Sequence, residues 1–290
     1  MDLPFVKMEG CGNDFVFLNA LGDAPAGLDP GSLPELARAV SDRRRGIGSD
    51  GLIVVSPGRG APVAMRMWNA DGSEARLCVN GLRCAAALAA MTVPALGSAF
   101  PMETASGPRE VRVLARTGRA WQVEIAAGEP DFRRTALPAL GEGDRLWGES
   151  FDLEGGPFPG YGVSMGNPHL VLLAPDEAFL AGARIEALEP LSRSPGFPDG
   201  VNVHLVAADP ARVSLRTWER GSGPTLACGS GALASYAVAR ELGRVSGEVE
   251  TTMPGGSVWI RPGPGGLVLR GPAREVYRGT WPGRARLPGQ

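Results

Sequence analysis

The chain has 290 residues, of which 43% are hydrophobic and 21% charged, and its formal net charge is −2 at pH 7. This composition is typical of a globular protein, and the length is sufficient for two domains. The near-neutral charge gives no reason to expect a nucleic acid or a membrane surface as partner. No stretch is apolar enough to span a bilayer, and the first residues lack the features of a secretory signal. We therefore expect a cytoplasmic protein.

Alternating apolar and β-branched residues predict six strands in the first half of the chain. They lie at residues 5–8, 15–19, 52–55, 64–68, 111–115 and 121–125. Helical spacing predicts a helix at 33–40, and a run rich in alanine and leucine predicts a second helix at 79–91. The stretch 128–160 is rich in glycine and proline and carries few periodic signals, so it is predicted to separate two halves.

The second half repeats this succession of elements. Strands are predicted at residues 169–173, 201–207, 213–218, 249–252, 258–260 and 267–269. A helix is predicted at 229–242, where Gly243 is suited to close its C-terminus. Residues 281–290, rich in proline, glycine and arginine, are predicted to form a frayed tail.

Cys78 and Cys228 occupy two copies of one short pattern. Residues 68–81 read WNADGSEARLCVNG and residues 218–231 read WERGSGPTLACGSG, so one offset aligns the tryptophans, the cysteines and the final glycines. Each cysteine directly precedes a predicted helix, where free N–H groups stabilise a thiolate and can bind a carboxylate. Two such thiols could remove a proton from one face of an α-carbon and return one to the opposite face. This pattern therefore indicates racemase chemistry.

The elements predict an α+β protein with two domains and a tail, at residues 1–127, 128–277 and 278–290. A Gly-Asn turn also recurs early in each half, at Asn13 and Asn167. We expect two similar, internally duplicated domains, each a curved, mostly antiparallel sheet wrapped around a central helix led by a cysteine. Strands and helices do not alternate regularly, which disfavours a doubly wound sheet. Ligand sites favour domain junctions, so we expect the active site in the cleft between the domains.

Residue types argue against a cofactor or a metal. The only lysine, Lys7, lies in a predicted strand, which disfavours pyridoxal phosphate held as a Schiff base. No Gly-x-Gly-x-x-Gly motif joins a strand to a helix, and no Cys-x2-Cys pair indicates zinc. We therefore expect no cofactor, no metal and four reduced cysteines. Cys11 and Cys84 do not begin a predicted helix and are expected to be structural.

The ordered motifs of the chain resemble those of the diaminopimelate epimerase family. The resemblance runs from MEGCGNDF at 8–15 through RGIGSDG at 45–51, NADGSE at 69–74, GNPH at 166–169, VNV at 201–203, ERG at 219–221 and ACGSG at 227–231 to GPAREVY at 271–277. It implies a cofactor-independent enzyme that interconverts LL- and meso-diaminopimelate for lysine and cell-wall synthesis. It also implies a duplicated two-domain fold and a possible homodimer.

The resemblance assigns roles to individual residues. Cys78 and Cys228 match the two acid–base thiols, Glu219 and His169 match the partners that tune the thiols, and Arg220 matches the group that binds the distal carboxylate. The implied substrate-binding set is Asn13, Asn69, Val79, Asn80, Asn167, Asn202, Glu219, Arg220, Gly229 and Ser230. Val79 and Pro224 depart from the family pattern, which has a glycine and an acidic residue there.

Two other functions explain fewer of these residues. A related racemase of another amino acid would share the thiol pair, but a substrate with one carboxylate would not need Arg220. A thiol redox sensor could form a reversible disulfide between Cys78 and Cys228, but it would leave the asparagines and Arg220 without a purpose. Each of these residues also has a structural interpretation. An asparagine beside glycine or proline is often a turn residue. His169 could be a core residue with its hydrogen bonds made inside the protein, and Glu219 with Arg220 could form a solvated ion pair.

Overall fold

The computed structural model describes residues 2–22 and 29–282. Most of the predicted tail, residues 283–290, lies outside this range. The chain divides into two compact units, one made of Met1–Ile125 with Gly271–Gln290 and the other of Ala126–Arg270. Among the described residues, no helix combines the length and hydropathy needed to cross a bilayer.

Strands dominate both halves of the chain. The first half contains β1 (Leu3–Gly10), β2 (Asn13–Asn19), α1 (Leu33–Ser41), β3 (Gly51–Ser56), β4 (Val63–Asn69), β5 (Glu74–Ala75), α2 (Val79–Thr92), β6 (Ala99–Glu103), β7 (Arg109–Thr117) and β8 (Ala120–Gly128). The second contains β9 (Trp147–Leu153), β10 (Gly156–Ser164), β11 (Pro168–Leu173), α3 (Glu177–Gly182), α4 (Glu189–Ser192), β12 (Asn202–Ala208), β13 (Arg212–Glu219), β14 (Gly223–Thr225), α5 (Gly229–Glu241), β15 (Val249–Met253), β16 (Gly256–Gly263) and β17 (Gly266–Trp281).

The same series of strand pairings occurs in each half. In the first half, β2 and β3 are parallel, β3 and β4 antiparallel, β4 and β6 parallel, and β6 and β7 antiparallel. In the second half, β11 and β12 are parallel, β12 and β13 antiparallel, β13 and β15 parallel, and β15 and β16 antiparallel. The predicted mixed fold, rich in strands, is confirmed.

Each unit encloses one long helix. Residues 79–89 of α2 are all buried, and the helix packs against β1, β2, β3, β4 and β7. Its alanines allow the strands to approach closely. The other face of the strands is covered by α1, where Leu33 and Val40 belong to the same apolar cluster as Leu52 and Val54 of β3. Covering both faces explains why these strands read as continuous apolar runs.

The second unit is built in the same way. Helix α5 packs against β10, β11, β12, β13, β15 and β16. On the opposite face, Leu170 and Leu172 of β11 cluster with Leu205 of β12 and with Leu180 of α3. Because side chains alternate along a strand, residues 169, 171, 204 and 206 are directed toward the α5 side.

Two predictions about organisation differ from the structure. The stretch 128–160 contains β9 and most of β10, an antiparallel pair whose turn uses Gly155 and Gly156 with positive φ. Its glycines and prolines hid the alternation of a strand. Strand β17 also runs to Trp281, and its second part pairs with β1. Residues 271–281 therefore pack in the first unit, whereas the predicted boundaries placed them in the 128–277 domain and the 278–290 tail.

Candidate active site

Cys78 and Cys228 each cap the N-terminus of a long helix. The Cys78 Sγ accepts a hydrogen bond from the Gly81 N–H at 3.4 Å, and the Cys228 Sγ accepts one from the Gly231 N–H at 3.3 Å. The backbone dihedral angles also agree, with φ −127° and ψ 117° at Cys78 and φ −124° and ψ 105° at Cys228. Both sulfurs therefore lie where free amides and the helix dipole stabilise a thiolate.

A glycine at the third position of each helix allows this placement. A Cβ on Gly81 would lie 2.6 Å from the Ile53 Cδ1, and a Cβ on Gly231 would lie 2.3 Å from the His204 Cε1. The first turn of each helix thus rests directly on a strand of its sheet. The thiol that caps the helix is held in place by this contact.

In the first unit, three of the predicted site residues are in contact. The Asn13 Oδ1 accepts hydrogen bonds from the Cys78 Sγ at 3.5 Å and from the Asn80 Nδ2 at 3.3 Å. Asn80 is buried in the first turn of α2, and Val79 before it is also buried. Asn69 lies at the end of β4, where its Nδ2 donates to the Ser73 Oγ at 3.0 Å.

A charged network behind Asn13 was not predicted. The Asp50 Oδ2 accepts from the Asn13 Nδ2 at 2.5 Å, and Arg43 donates to Asp14 at 2.7 Å and to Asp50 at 2.8 Å. Lys7 also contacts Asp14. Burial raises the pKa of Asp14, but hydrogen bonds from Arg43 and Lys7 outweigh burial and hold that pKa below its ordinary value. Through Asp50, Arg43 helps to orient Asn13.

In the second unit, Asn202 and Arg220 are in contact. The Asn202 Oδ1 accepts from the Arg220 backbone N–H at 3.0 Å, and the Asn202 Nδ2 donates to the Pro168 carbonyl at 2.9 Å. The Arg220 guanidinium donates through Nη1 to the Asp199 carbonyl at 2.7 Å. It lines a pocket of about 520 Å³ together with Trp218 and other residues. A planar guanidinium in such a pocket is suited to binding a carboxylate.

Three further predicted residues of this unit lie at the end of β13 and in the first turn of α5. Glu219 ends β13, and its Oε1 accepts from the Thr225 hydroxyl at 2.7 Å. Pro224 is exposed on β14 beside this contact. Gly229 and Ser230 form the first turn of α5, where the Ser230 Oγ lies 3.6 Å from the Cys228 Sγ.

His169 belongs to a buried chain of polar side chains. Its Nε2 lies 2.9 Å from the Asn167 Oδ1 and its Nδ1 lies 2.8 Å from the His204 Nε2, while the His204 Nδ1 lies 2.9 Å from the Thr217 Oγ1. Both histidines are 0% exposed. Burial and the neighbouring His204 and Arg220 lower the pKa of His169 well below its ordinary value. Burial alone lowers the pKa of His204 to about 3. Both rings are therefore neutral near pH 7.

These neutral histidines should make stability depend on pH. A histidine with a lowered pKa in the folded state binds protons more tightly when unfolded, so its stabilisation is present above about pH 6.5 and is lost as the pH falls. For His204, with a folded pKa of about 3, we expect the free energy of unfolding to fall by about 2 kcal/mol between about pH 7.5 and about pH 5. Urea unfolding of the protein and of His204→Ile would measure this difference. An equal loss in both proteins would contradict the expectation.

The other two cysteines lie in different surroundings. Cys11 and Cys84 are buried, and burial raises the pKa of Cys84 to about 12 and the pKa of Cys11 above its ordinary value. Both thiols therefore stay protonated near pH 7. This agrees with the structural role that the sequence suggested for them.

Comparison with known proteins identifies a family that this chain resembles. A family model described as diaminopimelate epimerase matches residues 5–132 and 161–275. The chain is 40% identical over 283 residues to a diaminopimelate epimerase of Geobacillus kaustophilus, with 96% of each chain covered. It is 38% identical over 284 residues to one of Moorella thermoacetica, with 97% of this chain and 99% of the relative covered.

A solved structure extends the comparison to the fold. A predicted epimerase from Pseudomonas aeruginosa matches with a TM-score of 0.69 at 19% sequence identity, with 96% of this chain and 99% of that chain covered. The two proteins therefore share a fold. The full-length relatives and the family model, which spans both cysteine-capped helices, show that this chain belongs to the diaminopimelate epimerase family.

Proposed function

We propose that this protein interconverts LL- and meso-diaminopimelate with two thiols and no cofactor, and supplies the meso isomer for lysine and peptidoglycan synthesis. The observation that carries the proposal is the matched capping of α2 by Cys78 and of α5 by Cys228. Each half of the chain thereby provides one acid–base group in the same local setting. Membership of the family supports the substrate.

The reaction needs one base and one acid. The thiolate of one cysteine removes the α-proton, and the electron pair of the broken C–H bond stays on the α-carbon and its carboxylate. The other thiol donates a proton to the opposite face and becomes the thiolate, so the total charge is unchanged. In this proposal each unit contributes one thiol, and the two act on opposite faces of one carbon.

Stabilisation of the developing negative charge should be the largest contribution to the rate, because an amino-acid α-proton is a very weak acid. The first amides of α2, at Val79 and Asn80, and those of α5, at Gly229 and Ser230, are suited to hold the reacting carboxylate. In the proposed complex, polar side chains bind the rest of the substrate and Arg220 binds its distal carboxylate. These polar side chains are Asn13, Asn69, Asn167 and Asn202, with His169 and Glu219 in supporting positions.

Turnover of LL-diaminopimelate in D2O tests this proposal. With two thiols, the proton removed and the proton donated belong to different groups, and the donor thiol carries deuterium from the solvent. Early in the reaction we therefore expect one deuterium at one α-carbon of the meso product and almost none in the remaining LL substrate. Mass spectrometry after separation of the isomers measures both.

Other amino acids serve as controls in the same assay. Lysine has the same two amino groups but lacks the distal carboxylate, so we expect little exchange of its α-proton. Exchange of the α-proton of lysine or proline, without exchange in diaminopimelate, would show that the protein is a racemase of another amino acid. No exchange of any amino acid, with a reversible disulfide between Cys78 and Cys228, would favour the redox sensor.

A further inference from the structure

Asn13 and Asn167 occupy matching positions in the two units. Each lies two residues before the residue that pairs with the start of the next parallel strand. In the first unit Phe15 is opposite Gly51, and in the second His169 is opposite Asn202. The two asparagines can therefore be compared directly, each with the side chains behind it.

In the first unit the side chains beneath the first turn of α2 are apolar. Ile53 lies beneath Gly81 and is opposite Met67 in the antiparallel pair of β3 and β4. The amide of Asn13 takes its orientation from Asp50, a pure acceptor when ionised, which receives the Nδ2 group. The Oδ1 atom is then directed at Cys78. The first unit thus presents the acceptor end of its asparagine to the thiol.

Behind Asn167 the corresponding side chains are polar. His204 lies beneath Gly231, as Ile53 lies beneath Gly81, and it is opposite Thr217 in the antiparallel pair of β12 and β13. His169 stands between His204 and Asn167 and hydrogen-bonds to both. Where the first unit has apolar side chains, the second therefore has a hydrogen-bonded chain of side chains that ends at Thr217.

The hydrogen bonds in this chain of side chains can be oriented in only one of two directions. A neutral imidazole has one donor and one acceptor nitrogen. A ring that accepts a hydrogen bond at one nitrogen therefore donates one from the other, so both rings are oriented in the same sense. In one direction Thr217 donates to His204, His204 donates to His169, and His169 donates to the Asn167 Oδ1. In the reverse direction the Asn167 Nδ2 would donate to His169, and Thr217 would be only an acceptor.

The Thr217 hydroxyl selects the first direction. Its hydrogen bond to His204 is the only one that the structure gives the hydroxyl among the described residues. In the reverse direction its proton would be buried without an acceptor, since Thr217 is 3% exposed. The selected direction also agrees with the Asn167 Oδ1 facing His169. It leaves the Asn167 Nδ2 group directed away from the histidines.

We propose that His204 and Thr217 are positioning residues that fix the direction of this chain and make Asn167 present a hydrogen-bond donor to the substrate. The donor matches a carboxylate oxygen of the substrate and disfavours an ammonium group. The two units thereby offer opposite ends of the same residue type, an acceptor at Asn13 and a donor at Asn167. The part of this inference that concerns the substrate rests on the proposed function, whereas the direction of the chain does not.

The direction can be measured without any activity assay. The protein has only two histidines, so labelling with ¹⁵N-histidine gives a spectrum with two imidazoles. We expect both rings to carry their proton on Nε2 and to remain neutral from about pH 6 to about pH 8. A proton on Nδ1 of either ring, or an ordinary titration of either ring in that range, would overturn the inference.

Variants of Thr217 test the positioning role. In Thr217→Val both directions leave one nitrogen of His204 unsatisfied, so we expect mixed tautomers and a KM raised about fivefold, with kcat changed less. Thr217→Ser restores the hydroxyl and is expected to restore the single tautomer and the KM. His204→Phe, which keeps a ring beneath Gly231, should raise KM in the same way. If Thr217→Val kept a single tautomer and an unchanged KM, Thr217 would have no positioning role.

Asn167→Asp tests the donor itself. A carboxylate can still accept from the His169 Nε2 but offers the substrate no N–H, so we expect KM to rise at least about tenfold while both histidines keep their Nε2 protons. An unchanged or lower KM would show that Asn167 accepts from an ammonium group. If the protein showed no activity on diaminopimelate but had the expected tautomers, the proposed function would fail while the directed chain would stand.

Discussion

Replacement of either Cys78 or Cys228 by alanine is expected to lower kcat for epimerisation by about 10²–10⁴-fold, the usual loss when a positioned acid or base is removed. Each sulfur caps its own helix and hydrogen-bonds to a different glycine amide, so neither thiol can take over for the other. Conversion of LL- to meso-diaminopimelate, followed by separation of the isomers, measures the loss. KM should change little, because first-turn amides and not the sulfur hold the reacting carboxylate.

The single variants should also reveal the two faces of the substrate. With one thiol left, the α-proton on that thiol's side can still exchange, but no proton can be delivered to the other side. We therefore expect Cys78→Ala and Cys228→Ala each to exchange the α-proton of only one isomer in D2O, with the choice of isomer opposite in the two variants. Cys84→Ala, which removes a buried thiol inside α2, is the matched control and should keep wild-type activity. Epimerisation by Cys228→Ala within tenfold of the wild type would rule out the two-thiol mechanism.

Replacement of Arg220 by methionine is expected to lower kcat/KM for diaminopimelate by about 10- to 150-fold, the usual range for a hydrogen bond to a charged group. Methionine keeps much of the length of the side chain and removes the fork of donors. Among the described residues, the guanidinium donates through Nη1 only, to the carbonyls of Asp199 and Gly200. Its other donors are therefore available to a ligand in the pocket. Initial rates over a range of substrate concentrations would measure the change.

Two further variants make this result specific. Arg220→Lys keeps the charge but loses the planar fork, so we expect a value between those of the wild type and the methionine variant. Arg212→Met lies at the opposite end of β13, where Arg212 pairs with Glu250 on the surface, and should leave kcat/KM unchanged. A wild-type kcat/KM in Arg220→Met would mean that another group binds the distal carboxylate.

The cysteine-led helices could be predicted because their signals are local. A cysteine directly before an apolar run predicted where each helix begins, and in the structure each thiol caps the helix at that position. The repeated offset between Cys78 and Cys228 added the second half of the prediction. Even so, the sequence could not show that Gly81 rests on Ile53 while Gly231 rests on His204, because these contacts join separate elements.

The features that were missed depend on pairing between distant segments. In sequence, His204 is one polar residue within a largely apolar strand, and its partners become evident only when β12 is placed between β11 and β13. Asp50 follows a glycine-rich turn, and its contact with Asn13 appears only when β3 pairs with β2. Strand β9 and the extension of β17 beyond residue 269 were missed for a related reason, because glycine and proline mask the alternation of apolar residues.

The pairing of β1 with the end of β17 also constrains how the protein forms on the ribosome. Leu3 is opposite Trp281, whereas the second unit consists of Ala126–Arg270. The second unit is therefore synthesised in full before the partner strand of β1 leaves the ribosome. Until then β1 has β2 on one side and an open edge on the other, and such edges can pair with other chains. The nascent first unit must keep this edge unpaired while the whole second unit is made.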